Sequence, residues 1–343
     1  MTTTQRIACI LLVLSGPASA QPAPVSALQA KQLAIVINDA EPNSVAVGEY
    51  YRKRRNIPAA NVVHVTIPGK PRELNAGRFA LLKAEIDARL GPGIEAVLMV
   101  WTVPYQVGCN SITAAYTLGF DAAQCANTCA AGHPSPYFNA GATRPFGELG
   151  MRLSMLLPTE SVAQARALID RGVGAGFHLV PATAYYLATS DKPRNTRAAF
   201  FPPPGQIAAR KLNTRTLQAD VLEGARDIMI YQTGMAQVGK LGTLGFVPGA
   251  LADHLTSFGG DLLGDDRAGG QMSSLRWLEA GATASYGTVS EPCNHWQKFP
   301  NPSVLLKHYV RGNSAIEAYW KSVAWPAQGL FIGEPLAAPY GRR

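Results

Sequence analysis

The side chains with the clearest chemical potential are one histidine and one cysteine in the C-terminal third of the chain. His254 lies in a Gly-rich stretch, and Cys293 follows it after one predicted helix and one predicted strand. In an α/β protein, this order allows both residues to reach the carboxyl edge of a parallel sheet, where ligands bind. An imidazole beside a thiol can take its proton, and the thiolate can then attack an acyl carbon. The spacing therefore indicates acyl transfer by a Cys–His pair.

Four neighbouring residues could support this chemistry. Gly259 and Gly260 have no Cβ, so their backbone N–H groups could approach and hold an oxyanion. Glu291 or Asp253 could orient the imidazole of His254. The alternative interpretation makes His254 an ordinary loop or capping histidine and makes Cys293 one half of a disulfide.

Cysteine usage favours that alternative for Cys293. After removal of an N-terminal targeting segment, four cysteines remain, and an even number in an oxidising compartment indicates disulfides. Cys125 and Cys129 are close enough for a local bridge, which would leave Cys109 to pair with Cys293, or leave Cys293 free. A zinc site that includes His133 is the weaker reading, because its spacing matches common zinc sites poorly. We therefore expect disulfides, with no metal and no cofactor.

The N-terminal segment has the features of a secretory signal peptide. Arg6 precedes a short apolar run over 7–14, and Ala18-Ser19-Ala20 forms a small-residue cleavage site. We predict a signal peptide over 1–20 and a Pro/Ala-rich spacer over 21–30. No later apolar run is long enough to cross a bilayer, which takes about 20 residues. We expect a periplasmic or secreted protein without a transmembrane helix after signal cleavage.

Composition limits the classes of partner. Apolar residues make up 47% of the chain and charged residues 16%, so a sizeable core can form. The net charge of +8 is dispersed, and its densest run, over 52–55, lies on a predicted helix and is typical of a solvated face. Nucleic-acid binding would need a wider basic stripe with stacking aromatics, so we expect none. The partner is unknown, and a peptide or an anionic envelope polymer is the class left open.

Apolar runs alternate with helical patterns along the chain. The first two strands flank a helix, and right-handed crossover makes them parallel. The pattern predicts a three-layer α/β fold with a mostly parallel sheet of about six strands and helices on both faces, in caspase/gingipain-like or flavodoxin-like order. We also expect a helix over about 206–224 and a Gly-rich connection over 234–249. The main predicted strands are 33–38, 62–67, 94–103, 182–189, 227–232 and 282–289.

One long segment breaks the alternation. Residues 104–158 carry little periodic signal, are rich in Gly and Pro, and contain three of the cysteines. A stretch of this kind is usually functional or an insertion. We predict a single α/β domain over 31–343 with a Cys-containing insertion at about 104–158. The dinucleotide, P-loop and G-x-S-x-G signatures are absent from the sequence, which argues against those enzyme classes.

The order of elements around His254 and Cys293 resembles that of the caspase–gingipain–legumain superfamily of cysteine peptidases. In that superfamily the histidine follows one strand region and the cysteine follows the next. The resemblance implies His254 as base and Cys293 as nucleophile. Leu255 stands where the superfamily places Gly, and Pro292 stands where it usually places a small residue.

A wider resemblance links the chain to a family of uncharacterised secreted bacterial proteins. That family implies no established activity, and many of its members end in a hydrophobic sorting tail that this sequence lacks. Two hypotheses follow: a secreted Cys–His hydrolase of peptidase type, or a non-catalytic, disulfide-stabilised envelope or extracellular protein on a peptidase-like scaffold. The matching segments are SVAVGEYYRKRRNIPAANV (44–62), CNSITAAYTLGFD (109–121), ARALIDRGV (165–173), DHLTSFGG (253–260), YGTVSEPC (286–293) and GEPLAAP (333–339).

Overall fold

A large, mixed and mostly parallel β-sheet runs through the protein. The computed structural model describes residues 27–176, 179–264 and 270–341. The predicted signal peptide and most of the spacer lie outside them. The strands are β1 (Leu33–Asn38), β2 (Val62–Val65), β3 (Glu73–Leu74), β4 (Ala96–Val100), β5 (Gln106–Val107), β6 (Asn110–Ser111), β7 (Leu153–Leu156), β8 (Ala182–Ala188), β9 (Gly205–Ile207), β10 (Leu212–Gln218), β11 (Ile228–Thr233), β12 (Phe246–His254), β13 (Ala284–Thr288) and β14 (Gly329–Gly333).

Eleven of these strands form the main sheet, in the order β2-β1-β4-β7-β14-β13-β12-β11-β8-β10-β9. β3, β5 and β6 form a small second sheet. Most pairings in the main sheet are parallel, while β13–β14 and β9–β10 are antiparallel. Every residue of β1, β4 and β8 is buried, as expected for parallel strands covered on both faces.

The α-helices connect and cover these strands. Polar caps begin several of them: Asn75 accepts from the N–H of Arg78 before the second helix, and Ser314 forms a capping box with Glu317 before the last. Their bounds are α1 (Pro42–Arg55), α2 (Ala76–Asp87), α3 (Ile112–Leu118), α4 (Ala122–Ala126), α5 (Pro145–Leu149), α6 (Val162–Gly174), α7 (Leu275–Ala280), α8 (Pro302–Val310) and α9 (Ala315–Ser322). Among the described residues, no helix is long and apolar enough to span a membrane.

The structure confirms the α/β class and corrects the number of strands from about six to eleven. The prediction of a helix over 206–224 is wrong, because that segment forms the edge strand β9 and its neighbour β10. The Gly-rich connection expected over 234–249 ends early, since β12 begins at Phe246 despite Pro248 and Gly249. His254 is consequently the last residue of a strand rather than part of a loop.

The carboxyl ends of β4, β7, β12 and β13 lie at one edge of the sheet. Tyr105 follows β4 and donates its hydroxyl to Asp261, which follows β12, at 2.7 Å. Pro158, just beyond β7, lines the same cavity as Leu262. His254 ends β12, and Cys293 comes five residues after β13. The two residues singled out from the sequence therefore belong to the same edge of the sheet.

Both faces of the sheet are covered at β13. Neighbouring strand residues point to opposite faces. Tyr286 packs edge-on against Phe331 and Phe299 on one side. On the other side, Gly287 makes room for the segment that contains Gly259 and Gly260, which crosses directly over the strand.

Candidate functional site

His254 is fully buried, and both of its ring nitrogens have protein partners. The indole N–H of Trp277 donates to Nδ1 at 3.0 Å, and Nε2 lies 3.0 Å from the carbonyl oxygen of Met272. These contacts place the proton on Nε2 and leave Nδ1 as an acceptor. Burial lowers the pKa of His254 to about 3, because the charged form would lose its hydration. The imidazole is therefore neutral and held between two structural hydrogen bonds.

Cys293 is bonded to Cys129, with 5.2 Å between the two Cα atoms. Its backbone has a positive φ of 56°, and its N–H donates to the carboxylate of Glu291 at 2.7 Å. A sulfur in a disulfide has no thiol proton to give up and is not a thiolate nucleophile. The catalytic pairing of His254 with Cys293 stays a prediction, and it applies only to a form in which this bond is reduced.

The expected supporting residues have other partners. Asp253 forms a buried ion pair with Arg197 and accepts from the side-chain amide of Gln232 at 3.0 Å. Burial raises the pKa of Asp253, while the Arg197 guanidinium acts in the opposite direction. Glu291 holds the N–H of Cys293. The hydrogen bonds of the described residues thus occupy both carboxylates away from His254.

Gly259 and Gly260 have a packing role. The N–H of Gly260 donates to the carbonyl of Thr288 at 2.8 Å, so this donor is already used. A Cβ on Gly260 would meet the carbonyl oxygen of Gly287 at 2.7 Å, and one on Gly259 would lie 3.5 Å from Cε1 of His254. The absence of a Cβ allows the segment to cross β13 closely.

The disulfide pairing expected from the sequence is wrong. The bonds are Cys109–Cys125 and Cys129–Cys293, instead of Cys125–Cys129 and Cys109–Cys293. Asn110 explains part of this result, because its side chain makes two hydrogen bonds to the backbone of Asp121 at the start of α4. Those bonds bring Cys125, on α4, to Cys109. Cys129 lies beyond the end of that helix.

A set of hydrogen bonds between the predicted insertion and the C-terminal segments was missed by the sequence reasoning. Lys298 donates to the carbonyl of Thr128 at 2.5 Å, and Nε2 of His295 lies 3.0 Å from the carbonyl oxygen of Cys129. Lys321 donates to the carbonyls of Ala140 and Ala142 at 2.8 and 2.6 Å. Both lysines are buried, and desolvation lowers the pKa of each to about 8. The signal available in the sequence was a lysine in the otherwise apolar end of α9.

Two cavities open near the carboxyl edge. One, of about 270 Å³, lies between α6 and α7 and has a leucine-rich floor. The other, of about 330 Å³, lies in the predicted insertion beside Asp121 and His133 and is also lined by Ala327. The structure places Cys125 and Cys129 in disulfides, so neither can join His133 as a zinc ligand. In the described ranges, no group of three or more His, Cys, Asp or Glu side chains could hold a metal.

Comparisons with known proteins give little further information. No protein-family model matches the chain, and no curated protein does. Among solved structures, the chain is similar to the complex of the pro- and mature domains of RgpB from Porphyromonas gingivalis. The identity is 11%, with 90% of this chain and 79% of that chain covered and a TM-score of 0.39. No residue role follows from a match this distant, and the resemblance to uncharacterised secreted proteins stays a prediction.

Proposed function

We propose that this chain is a non-catalytic, disulfide-stabilised extracellular or envelope protein built on an α/β scaffold. The observation that carries the proposal is the Cys129–Cys293 disulfide, which uses the sulfur that a hydrolase of the Cys–His type would need. The bond joins the insertion to the loop after β13, so its role is to hold the insertion at the carboxyl edge.

The environment of His254 supports the same proposal. A general base needs a free lone pair within reach of the proton it removes. In His254, Nδ1 accepts from Trp277 and Nε2 donates to Met272. A base with a pKa of about 3 would also be a poor acceptor for a thiol proton at neutral pH. The imidazole instead ties α7 and the residues before it to the end of β12.

The location is proposed on two grounds. Disulfides persist in oxidising compartments, and the structure pairs all four cysteines outside the N-terminal segment. The sequence separately predicts a secretory signal peptide over 1–20.

A substitution that frees Cys293 tests the proposal against a latent hydrolase. Cys129→Ser leaves Cys293 as a thiol without changing Cys293 or His254. We expect Cys129→Ser to show no hydrolysis of a broad peptide and ester library above that of Cys129→Ser/Cys293→Ser. The matched control is Cys109→Ser, which frees Cys125 in the other disulfide. Activity that appears in Cys129→Ser and disappears when His254→Gln is added would overturn the proposal.

A further inference from the structure

The cavity in the insertion has an apolar body and one polar corner. Its apolar wall includes Leu118, Phe120 and Pro134, and its volume is about 330 Å³. The titratable groups of its wall are Asp121 and His133. A concave apolar site with a few converging polar groups has the general form of a small-molecule site, and the volume lies at the lower end of the usual range.

Asp121 and His133 form an oriented pair at that corner. Nδ1 of His133 lies 2.8 Å from Oδ2 of Asp121. The other carboxylate oxygen accepts from the N–H of Gln124 at 3.0 Å, as the cap of α4. Although partial burial opposes ionisation, the backbone N–H of Gln124 and the side chain of His133 hold the pKa of Asp121 below its usual value. An ionised Asp121 accepts only, so Nδ1 carries the proton and Nε2 of the neutral ring is an acceptor.

The surrounding structure fixes this pair in place. Asn110 bonds both the N–H and the carbonyl of Asp121, at 2.7 and 3.1 Å. The Cys109–Cys125 disulfide closes the loop around Asp121. His133 lies four residues after Cys129, which is bonded to Cys293. Both walls of the cavity are therefore held by covalent bonds, and such preorganisation lowers the cost of binding.

We propose that this cavity binds a small molecule with an aromatic body and a hydroxyl group, that is, a phenol, whose O–H donates to Nε2 of His133. The aromatic ring of the ligand would lie against Phe120 and Leu118. Its hydroxyl would extend the series of hydrogen bonds that runs from Asp121 through the imidazole of His133. A carboxylate ligand is disfavoured because its charge would face that of Asp121. Among the described residues, Nε2 of His133 has no protein partner, so the ligand need not displace one.

Among the residues that the structure describes, a second Asp–His pair provides a control. Nδ1 of His64 lies 2.7 Å from Oδ1 of Asp39, and both side chains are about half exposed. Neither residue lines the cavity in the insertion. A substitution at His64 removes an equivalent imidazole without touching the proposed site.

The test compares p-cresol with 4-methylanisole, which has the same ring but no O–H, by NMR titration of the oxidised full-length protein. We expect p-cresol to bind about tenfold more tightly, the factor that one hydrogen bond supplies. His133→Phe should remove that difference, and His64→Phe should leave it intact. The proposal fails if both ligands bind equally, if neither binds, or if His64→Phe has the effect expected of His133→Phe.

Asp121→Asn distinguishes the role of Asp121 in orienting the proton of His133 from its structural role as the cap of α4. In this variant the side-chain oxygen of the asparagine can still cap α4, while the side-chain NH₂ faces Nδ1 of His133. The imidazole should move its proton to Nε2 and become a donor towards the ligand. We expect the preference for p-cresol to fall or reverse in this variant, and an unchanged preference would contradict the proposal. This test measures ligand binding by the oxidised protein, whereas the Cys129→Ser experiment measures hydrolysis by a protein with a free thiol, so either proposal can fail while the other succeeds.

Discussion

Two histidines of this molecule, His254 and His133, show how differently the same side chain can be used. His254 lies at the end of a central strand, has no exposed surface, and is bonded at both nitrogens. His133 is largely exposed, with its side chain 82% accessible, and is bonded at Nδ1 to Asp121 beside an open cavity. The residue whose spacing indicated catalysis is closed off, and the accessible imidazole lies in a segment with little periodic signal.

This contrast shows what spacing can and cannot indicate. The position of His254 at a strand end follows from local sequence, because strand and turn patterns are local. Its accessibility depends on Trp277 and Met272, which reach it from another part of the chain. The reactivity of Cys293 likewise depends on a distant residue, because its sulfur is bonded to that of Cys129. The following predictions test the contrast, from the largest expected effect to the smallest.

Removal of the disulfides should give the largest losses in the free energy of unfolding, and the two losses should differ. Replacing both cysteines of a bond by Ser removes the constraint on the unfolded chain, and the loss grows with the length of the closed loop. The sequence separations are 164 for Cys129–Cys293 and 16 for Cys109–Cys125. On the chain-entropy model we expect losses of about 5 and about 3 kcal/mol in the free energy of unfolding. Urea titration measures both, and a larger loss for the short loop would contradict the account.

Substitution of the buried His254 should lower the free energy of unfolding far more than substitution of the exposed His133. His254→Phe keeps a ring but leaves the N–H of Trp277 and the carbonyl of Met272 unpaired in the core. We expect a loss of about 2 to 6 kcal/mol in unfolding free energy, at about 1 to 3 kcal/mol for each of the two unsatisfied groups. His133→Phe should change stability by less than about 0.5 kcal/mol, as is usual at the surface. Equal effects would show that His254 is not held as described.

Acid should destabilise the protein through its buried histidines. Burial lowers the pKa of His254 and His308 to about 3, against 6.5 for an unperturbed histidine. Between pH 6.5 and 3 the unfolded chain therefore binds more protons, and stability falls as the pH is lowered through that window. Each group adds at most about 1.4 kcal/mol per pH unit. His254→Phe should reduce the slope measured by urea titration, and His133→Phe should leave it unchanged.

The buried lysines should give the smallest effect, in the same direction as the buried histidines but at higher pH. Desolvation lowers the pKa of Lys298 and Lys321 to about 8 from 10.5. Above pH 8 the unfolded chain binds more protons than the folded one, so stability should rise towards pH 10. Lys298→Met should flatten that rise when thermal unfolding is followed across this range. Lys31→Met, in the first described turn, is the control, and a rise that persists in Lys298→Met/Lys321→Met would contradict the assignment.

The fold was predictable where burial is continuous. β4 is an unbroken apolar run, and β1 and β8 depart from one only at Asn38 and Thr183, so their type follows from composition. β10 was missed because its sequence, LNTRTLQ, is polar and only partly buried next to the edge strand β9. β12 was missed because Pro248 and Gly249 interrupt it near its start, where they usually mark a turn.

The site was predictable only in part, and for a different reason. The sequence identifies the four cysteines as disulfide candidates but cannot pair them, because the pairing depends on where Asn110 holds the backbone of Asp121. It also cannot indicate that the indole of Trp277 would reach His254. Contacts of this kind are set by the tertiary structure and leave no periodic pattern.

The central claim is that Cys293 is bonded to Cys129 in the native protein. Denaturing the unreduced protein in iodoacetamide, followed by intact-mass analysis and a non-reducing peptide map, tests it directly. The account predicts no alkylated cysteine among residues 109, 125, 129 and 293, and one cross-linked peptide pair that joins Cys129 to Cys293. An alkylated Cys293 in the native protein would contradict it and would return this residue to the position of a candidate nucleophile.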